Sequence, residues 1–235
     1  MNRLLLNNDD IITSLAINED TEIIMNLSNE GKDLNIILEK DTLLSIVEFS
    51  TNTKNDFKIN LNENSRLVYK KVGKNINDNI NIFLDGNSAS LDIKNSVVST
   101  SNTKCVFNII HNNINTTSNL SNHGINSSTD ELMFNINANI NSCADNSSTN
   151  QENKIINTNS GKSNILPNLI VDNDNVNATH SAYISDFDKE TLFYLKSRGI
   201  SEAESRNLLM EGFLFGNLNL PNEYIEQAKE ILKIY

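Results

Sequence analysis

From about residue 20 to residue 184, apolar side chains fall on every second position. Phe57, Ile59 and Leu61 alternate with Lys58, Asn60 and Asn62. Ile80, Ile82 and Leu84 alternate with Asn79, Asn81 and Phe83, and Phe134, Ile136, Ala138 and Ile140 with Asn135, Asn137, Asn139 and Asn141. A period of two sends one set of side chains inward and the other toward solvent, which is the pattern of half-buried strands. The runs are short, and clusters of Asn, Ser, Asp and Gly separate them. Many short strands without intervening helices fit either a β-sandwich or a wound β-solenoid. Two-residue hairpin turns are scarce; Asp85-Gly86 is the best of them, and a solenoid corner would use it equally well. The pattern leans toward a parallel β-helix and leaves the sandwich open.

Near residue 185 the period becomes helical. Asp188 is placed to cap a helix through Leu192, Phe193 and Leu195, with Gly199 as a left-handed stop. Ser201 and Glu204 form a capping box that opens a second helix through Leu208, Leu209, Met210, Phe213 and Leu214. Pro221 suits a first helical turn, and Ile225, Ala228, Leu232 and Tyr235 form one apolar stripe beyond it. The chain therefore divides into a β core over residues 1–184 and a C-terminal helical domain over residues 185–235. Three helices this short cannot bury their stripes alone, so they must dock on the β core or on a partner.

Composition narrows the functional classes. The 235 residues carry 19 Lys and Arg against 30 Asp and Glu, a net charge of -11. Such a surface repels phosphate backbones and anionic lipid, which argues against nucleic-acid or membrane partners. No apolar run approaches a membrane span, and the apolar start Leu4-Leu5-Leu6 is too short for a signal peptide. Cys105 and Cys143 cannot build a disulfide framework, so a cytoplasmic protein is expected. Asparagine occurs 44 times, 40 of them before residue 186. Such a polar composition suits disorder, but not the sustained alternation of Ile, Leu, Val and Phe. Stacked coils give Asn a task, because aligned side-chain amides hydrogen-bond in ladders.

The segment from Asp186 to Phe213 is more specific than its helix signals. Leu192-Phe-Tyr-Leu-Lys-Ser-Arg-Gly-Ile200, followed by Ser201, Leu208, Leu209, Gly212 and Phe213, resembles the C-terminal part of the SufB/SufD family, scaffold proteins of iron–sulfur cluster assembly. Ser205 stands where that family usually has Ala. Pro167-Asn-Leu-Ile-Val171 and His180-Ser-Ala182 resemble the elements that precede those helices, so the likeness covers roughly residues 165–216. The resemblance implies a right-handed parallel β-helix with a C-terminal helical domain. It also implies a second SufB- or SufD-type scaffold subunit, a SufC-like ABC ATPase docked on the helices, and an iron–sulfur cluster assembled transiently at the subunit interface. On this reading the chain is a scaffold and not an enzyme; the partner hydrolyses ATP. Gly161-Lys-Ser163 ends like a phosphate-binding loop, but the first Gly of that motif would fall on Ile156, so no nucleotide is expected here.

The resemblance singles out His180 for cluster assembly, and imidazole is a competent iron ligand. Counting back from His180 to the cysteine of the SufB branch reaches Glu152, with Gln151 beside it, and Ser181 replaces the Glu that follows the histidine there. Glu152 is thus a candidate carboxylate ligand, and the ligand set is SufD-like. Cys105 shares a strand face with Phe107 and Ile109, as a small hydrophobe would. Cys143, at a coil corner, is the better thiolate candidate. His111 and His123 flank an Asn-rich stretch without ligand-spaced partners and read as solvated loop residues. Tyr194, Arg198, Met210, Phe213 and Phe215 are the candidate ATPase-docking residues, while for Phe193, Leu209 and Phe213 internal packing is the preferred reading. Two further classes stay open: a structural subunit without cluster ligands, and a carbohydrate-related β-helix. The second would call for secretion and aromatic platforms, whereas Trp is absent and aromatics make up 6%.

Overall fold

A computed structural model describes residues 1–158 and 160–233. The strands run β1 (Asn2–Asn7), β2 (Ser14–Ile17), β3 (Thr21–Ser28), β4 (Asp33–Leu38), β5 (Leu43–Thr51), β6 (Asp56–Leu61), β7 (Arg66–Lys74) and β8 (Asn77–Leu84). They continue as β9 (Ser90–Ser99), β10 (Thr103–His111), β11 (Thr117–Asn126), β12 (Glu131–Ile140), β13 (Ser148–Asn157), β14 (Lys162–Val171) and β15 (Asn177–Ser185). Odd-numbered strands form one parallel sheet in the order β1-β3-β5-β7-β9-β11-β13-β15. Even-numbered strands form the other, β14-β12-β10-β8-β6-β4-β2. The chain alternates between the sheets and climbs one strand per circuit, so the architecture is a parallel β-solenoid and the sandwich is excluded.

The inward parity of each strand builds the core. Phe57, Ile59, Leu61, Ile80, Ile82, Leu84, Phe134, Ile136 and Ile140 are all fully buried between the sheets. Removing each such side chain from water contributes about 1.5–3 kcal/mol. Asparagine holds the coils in register at the corners and on the faces. At one corner Asn29, Asn52 and Asn75 adopt left-handed backbone, with φ of 62°, 53° and 53°. Asn75 Nδ2 donates to Asn52 Oδ1 (3.2 Å), and Asn52 Nδ2 to Asn29 Oδ1 (3.4 Å), each step spanning 23 residues. At another corner Asn146 Nδ2 donates to Asn115 Oδ1 (2.7 Å) across 31 residues, with φ of 56° and 59°. Asn tolerates this conformation better than other non-glycine residues, which is one reason for its abundance. A third ladder, Asn168 to Asn137 to Asn108 to Asn81, crosses the outer face of the even-numbered sheet at 2.7–2.9 Å. Asp85-Gly86 does form a solenoid corner, where a Cβ on Gly86 would lie 1.9 Å from the Glu63 backbone nitrogen.

Three helices follow, α1 (Lys189–Ser197), α2 (Glu202–Leu218) and α3 (Asn222–Leu232). Asp188 caps α1 by accepting from the Glu190 and Thr191 amides, Gly199 takes φ 87° after it, and Ser201 and Glu204 form the reciprocal capping box of α2. Pro221 sits just ahead of α3 as its cap residue. The helices lie on the outer face of the odd-numbered sheet. Phe187, Leu192, Met210, Leu214, Leu218, Tyr224, Ala228 and Leu232 form a second core there with Ile24, Val47, Phe49, Val72, Val98 and Ile125. Of the α3 stripe, Tyr235 lies outside the described residues. At the first coil Arg3 bonds the Tyr224 hydroxyl and pairs with Glu22 at 3.2 Å, tying β1 to α3. No helix among the described residues is long and apolar enough to cross a membrane.

The core also holds charge. Glu48, Lys71 and Asp78 are essentially inaccessible, and the Lys71 ammonium contacts Glu48 and lies 2.7 Å from Asp78. Tyr69, Ser50 and Asn55 donate to the Glu48 carboxylate. Burial disfavours the Lys71 ammonium, yet the flanking carboxylates outweigh it and hold lysine above its usual range. Burial lifts the Asp78 carboxyl, against the opposing pull of Lys71.

Candidate functional site at the open C-terminal coil

Strands β14 and β15 have a neighbour on one side only. In-register parallel pairing sends paired side chains to the same face, so the register assigns each residue of the last coil to a side. Ile184 pairs with buried Ile155, and Val171 with buried Ile140. Both therefore belong to the core parity, yet they are 43% and 41% exposed because no further coil covers them. Outward-facing Leu166, Ile170 and Tyr183 extend the apolar rim. The solenoid ends in an unfinished core.

His180 lies within β15 on this end and is exposed. Its register partner is Gln151, fully buried, whose Nε2 donates to the Asn168 carbonyl (3.4 Å) while Oε1 has no protein partner. Beside Gln151 the inward-facing amides of Asn95, Asn122 and Asn153 form a buried ladder. Asn95 Nδ2 donates to Asn122 Oδ1 (3.2 Å), Asn122 Nδ2 to Asn153 Oδ1 (2.8 Å), and Asn153 Nδ2 to the Ser181 carbonyl (3.2 Å). A polar column inside the solenoid thus reaches the strand that carries His180.

Several expectations require correction. Glu152 pairs with Ser181, one residue out of phase with His180, so it faces the opposite side of the sheet. There it pairs with Lys154 and accepts from the Ser121 hydroxyl (3.3 Å). The hydrogen bond from Lys154 holds its carboxyl below the usual range, as expected of a satisfied surface carboxylate. The residue that shares the His180 face is Gln151. Alternation counted strictly across the inward-facing Thr149, Gln151 and Asn153 is the signal that would have found it.

Cys105 is buried, and burial first, then the Asp78 charge, push its thiol well above the range in which thiolate forms. Cys143 is exposed at the corner before β13, its Sγ–H donating to the Asn112 carbonyl (3.2 Å). His180 sits mid-strand one coil later, and the fold does not join the two residues into one ligand set. No group of three or more His, Cys, Asp or Glu among the described residues is placed to hold a metal ion.

His111 and His123 are not loop residues. His111 ends β10 fully buried, its ring nitrogens 2.8 Å from Thr116 Oγ1 and 2.9 Å from Ser118 Oγ, and burial pushes its pKa down to about 4. His123 lies in β11, half-buried beneath α2. His111 continues the inward run of Cys105, Phe107 and Ile109, whereas the alternation of the β11 run around His123 is masked by Asn and Ser.

The helical candidates divide. Met210 is buried against the sheet, Phe213 stacks on His123 with centroids 4.4 Å apart, and Phe215 is partly buried in the same cluster. Met210 and Phe213 face the solenoid and are not free for docking, while Phe215 lines the groove between α2 and α3. Tyr194 is exposed, with the Arg198 guanidinium 5.2 Å over its ring. Phe193, 75% exposed, and Leu208 join them on the solvent side, contrary to the packing reading of Phe193. A shallow groove of about 440 Å³ runs alongside, lined by Gly199, Ile200, Glu204, Asn207, Leu208 and Glu211.

Comparison with known proteins follows the same outline. The family profile described as SUF system FeS cluster assembly, SufBD core domain, matches residues 34–213. An iron–sulfur cluster assembly SufBD family protein of Staphylococcus saprophyticus is 39% identical over 72 residues, which are 30% of this chain and 16% of that protein. The iron–sulfur cluster assembly protein SufB of Bacillus subtilis is 38% identical over 72 residues, with the same coverage. A SufBD family protein of Mycobacterium leprae is 45% identical over 58 residues, 24% of this chain and 14% of that protein. The matched stretch is thus about one sixth of the length of these relatives.

Proposed function

The chain belongs to the SufBD core family of the SUF iron–sulfur assembly system, and from that premise we propose that it is a cytoplasmic, non-enzymatic scaffold subunit on which clusters are built as cargo. The observation that carries the proposal is the unfinished core at β14 and β15, with His180 at its rim. An unpaired edge flanked by exposed Ile170, Val171, Tyr183 and Ile184 calls for another strand from a second scaffold subunit. Pairing there buries His180 at a subunit interface, where a neutral imidazole serves as an iron ligand.

Gln151 offers only a neutral amide where a thiolate would hold iron and sulfide most strongly. The scaffold partner is therefore a cysteine-bearing SufB-like chain, and this chain is the SufD-like half that contributes His180. The solvent face of α1 and α2, with Phe193, Tyr194, Arg198 and Leu208, is the docking surface for a SufC-like ABC ATPase, which performs the nucleotide chemistry. A second reading, a structural subunit that contributes no ligand, draws support from the Gln at position 151, and no group of three metal-ligating side chains occurs among the described residues.

The His180→Ala variant separates the two. In an anaerobic iron and sulfide reconstitution with both partners, the first reading expects a several-fold loss of cluster absorbance while complex formation persists. Undiminished cluster yield would leave only the structural role.

A further inference from the structure

The C-terminal half of α2 is held on the sheet by side chains that reach helix and strand backbone. Ser96 Oγ donates to the Leu214 carbonyl (2.9 Å), and Asn217 Nδ2 donates to the carbonyls of Asn95 (3.0 Å) and Ser121 (3.2 Å). His123 makes the third attachment. Its Nδ1 lies 2.8 Å from the Phe213 carbonyl, and its ring stacks on the Phe213 ring with an interplanar angle of 12°. A carbonyl only accepts, so Nδ1 carries the proton in the neutral imidazole. Nε2 is then an unprotonated acceptor, and it is buried with no hydrogen-bond partner.

The charges around the ring come from both flanking strands. Lys94 of β9 and Lys154 of β13 oppose a positive imidazole. Glu152 of β13 favours one, but it is already engaged by Lys154 and Ser121. From the helix side, α2 meets the ring with the uncharged Phe213. A proton added at Nε2 would place a full charge on an atom without an acceptor, in a partly desolvated site that two ammonium groups oppose.

We propose that His123 is a proton-sensitive latch: its neutral form seats the Phe213 turn of α2 on the solenoid, and protonation at Nε2 loosens that turn. The register places the latch relative to the open end. His123 pairs with Lys154, and Lys154 with Tyr183 of the edge strand β15, so the latch lies two strands from the open end.

Burial is the first cause that lowers the His123 pKa, outweighing the hydrogen bond to Phe213. A histidine whose folded pKa is depressed contributes stability that is complete above its unfolded value near 6.5 and is lost as the pH falls below it. Hydrogen exchange over residues 207–218, followed by mass spectrometry and corrected for the intrinsic rate, reads the latch directly. Between pH 7.5 and 5.5, protection should fall by up to about tenfold per pH unit below 6.5. The His123→Gln variant keeps a donor for the Phe213 carbonyl but does not titrate, so its protection should stay flat. Both proteins retain His111, so any general acid weakening cancels between them. Equal pH dependence in the two proteins, or none in the wild type, overturns the proposal. Should the variant fail to fold, an imidazole NMR titration of the wild type decides: an Nδ1–H tautomer titrating below pH 6.5 supports the latch, and an Nε2–H tautomer or a midpoint at or above 6.5 refutes it.

Discussion

Asn75 shows what a single side chain does in this fold. Its backbone is left-handed at φ 53°, and its amide donates to Asn52 and Thr100 on the coils either side. Asn75→Ala loses both and should cost about 1–3 kcal/mol in urea unfolding, whereas Asn75→Gly restores the backbone freedom and should cost less. An Ala variant as stable as the Gly variant would show that the corner conformation carries no strain. His111 provides the second residue-scale expectation. Its pKa near 4 lies below the unfolded value, so stability is intact above about pH 6.5 and declines toward pH 4. Going from pH 7.5 to 5, the wild type should lose about 2 kcal/mol more than His111→Gln. Parallel losses in the two proteins would mean that the buried ring is not the titrating group. Residues of this kind were the least legible in the sequence. His111 and Lys71 continue the apolar inward runs Cys105, Phe107, Ile109 and Leu67, Tyr69, but their own polar identity reads as surface, and around His123 the Asn and Ser of β11 hide the strand phase. Glu152 shows the same limit, since one residue of miscounting moves a side chain to the other face.

Elements were far more legible, because their signals are local. The Asp188 cap, the Ser201–Glu204 box and the Gly199 stop all stand where the residue types placed them. How the elements pack was not, because it depends on contacts distant in sequence. Asn217, buried on α2, bonds β9 and β11 backbone more than ninety residues away. Asn217→Ala leaves two strand carbonyls without that donor and should cost about 1–3 kcal/mol in thermal or urea unfolding. No measurable loss would mean that apolar packing alone seats α2. The Glu48–Lys71–Asp78 cluster ties β5 and β7 to β8 across the two sheets. Lys71→Met leaves two buried carboxylates without a counter-charge and should cost about 3–5 kcal/mol. The triple variant Glu48→Gln, Lys71→Met, Asp78→Asn should recover much of that loss. A single variant as stable as the wild type would show that the cluster is solvated.

At the scale of the whole molecule, the alternation established strands and the asparagines hinted at stacked coils, but only the register shows that core parity continues into an uncovered edge. That edge leaves Ile184 and Val171 of the core parity open to solvent. Ile184→Lys or Val171→Lys should leave the monomer folded, since both positions are already open to solvent, while abolishing scaffold pairing in light scattering. Pairing that survives either change would move the interface elsewhere.

The most direct test of the central claim is anaerobic iron and sulfide reconstitution of the chain with a SufC-like ATPase, with and without a cysteine-bearing SufB-like partner. The account predicts complexes in both cases and cluster absorbance only when that partner is present. Full cluster formation on this chain and the ATPase alone would contradict the assignment as the SufD-like half, and no complex with either partner would contradict the scaffold role itself.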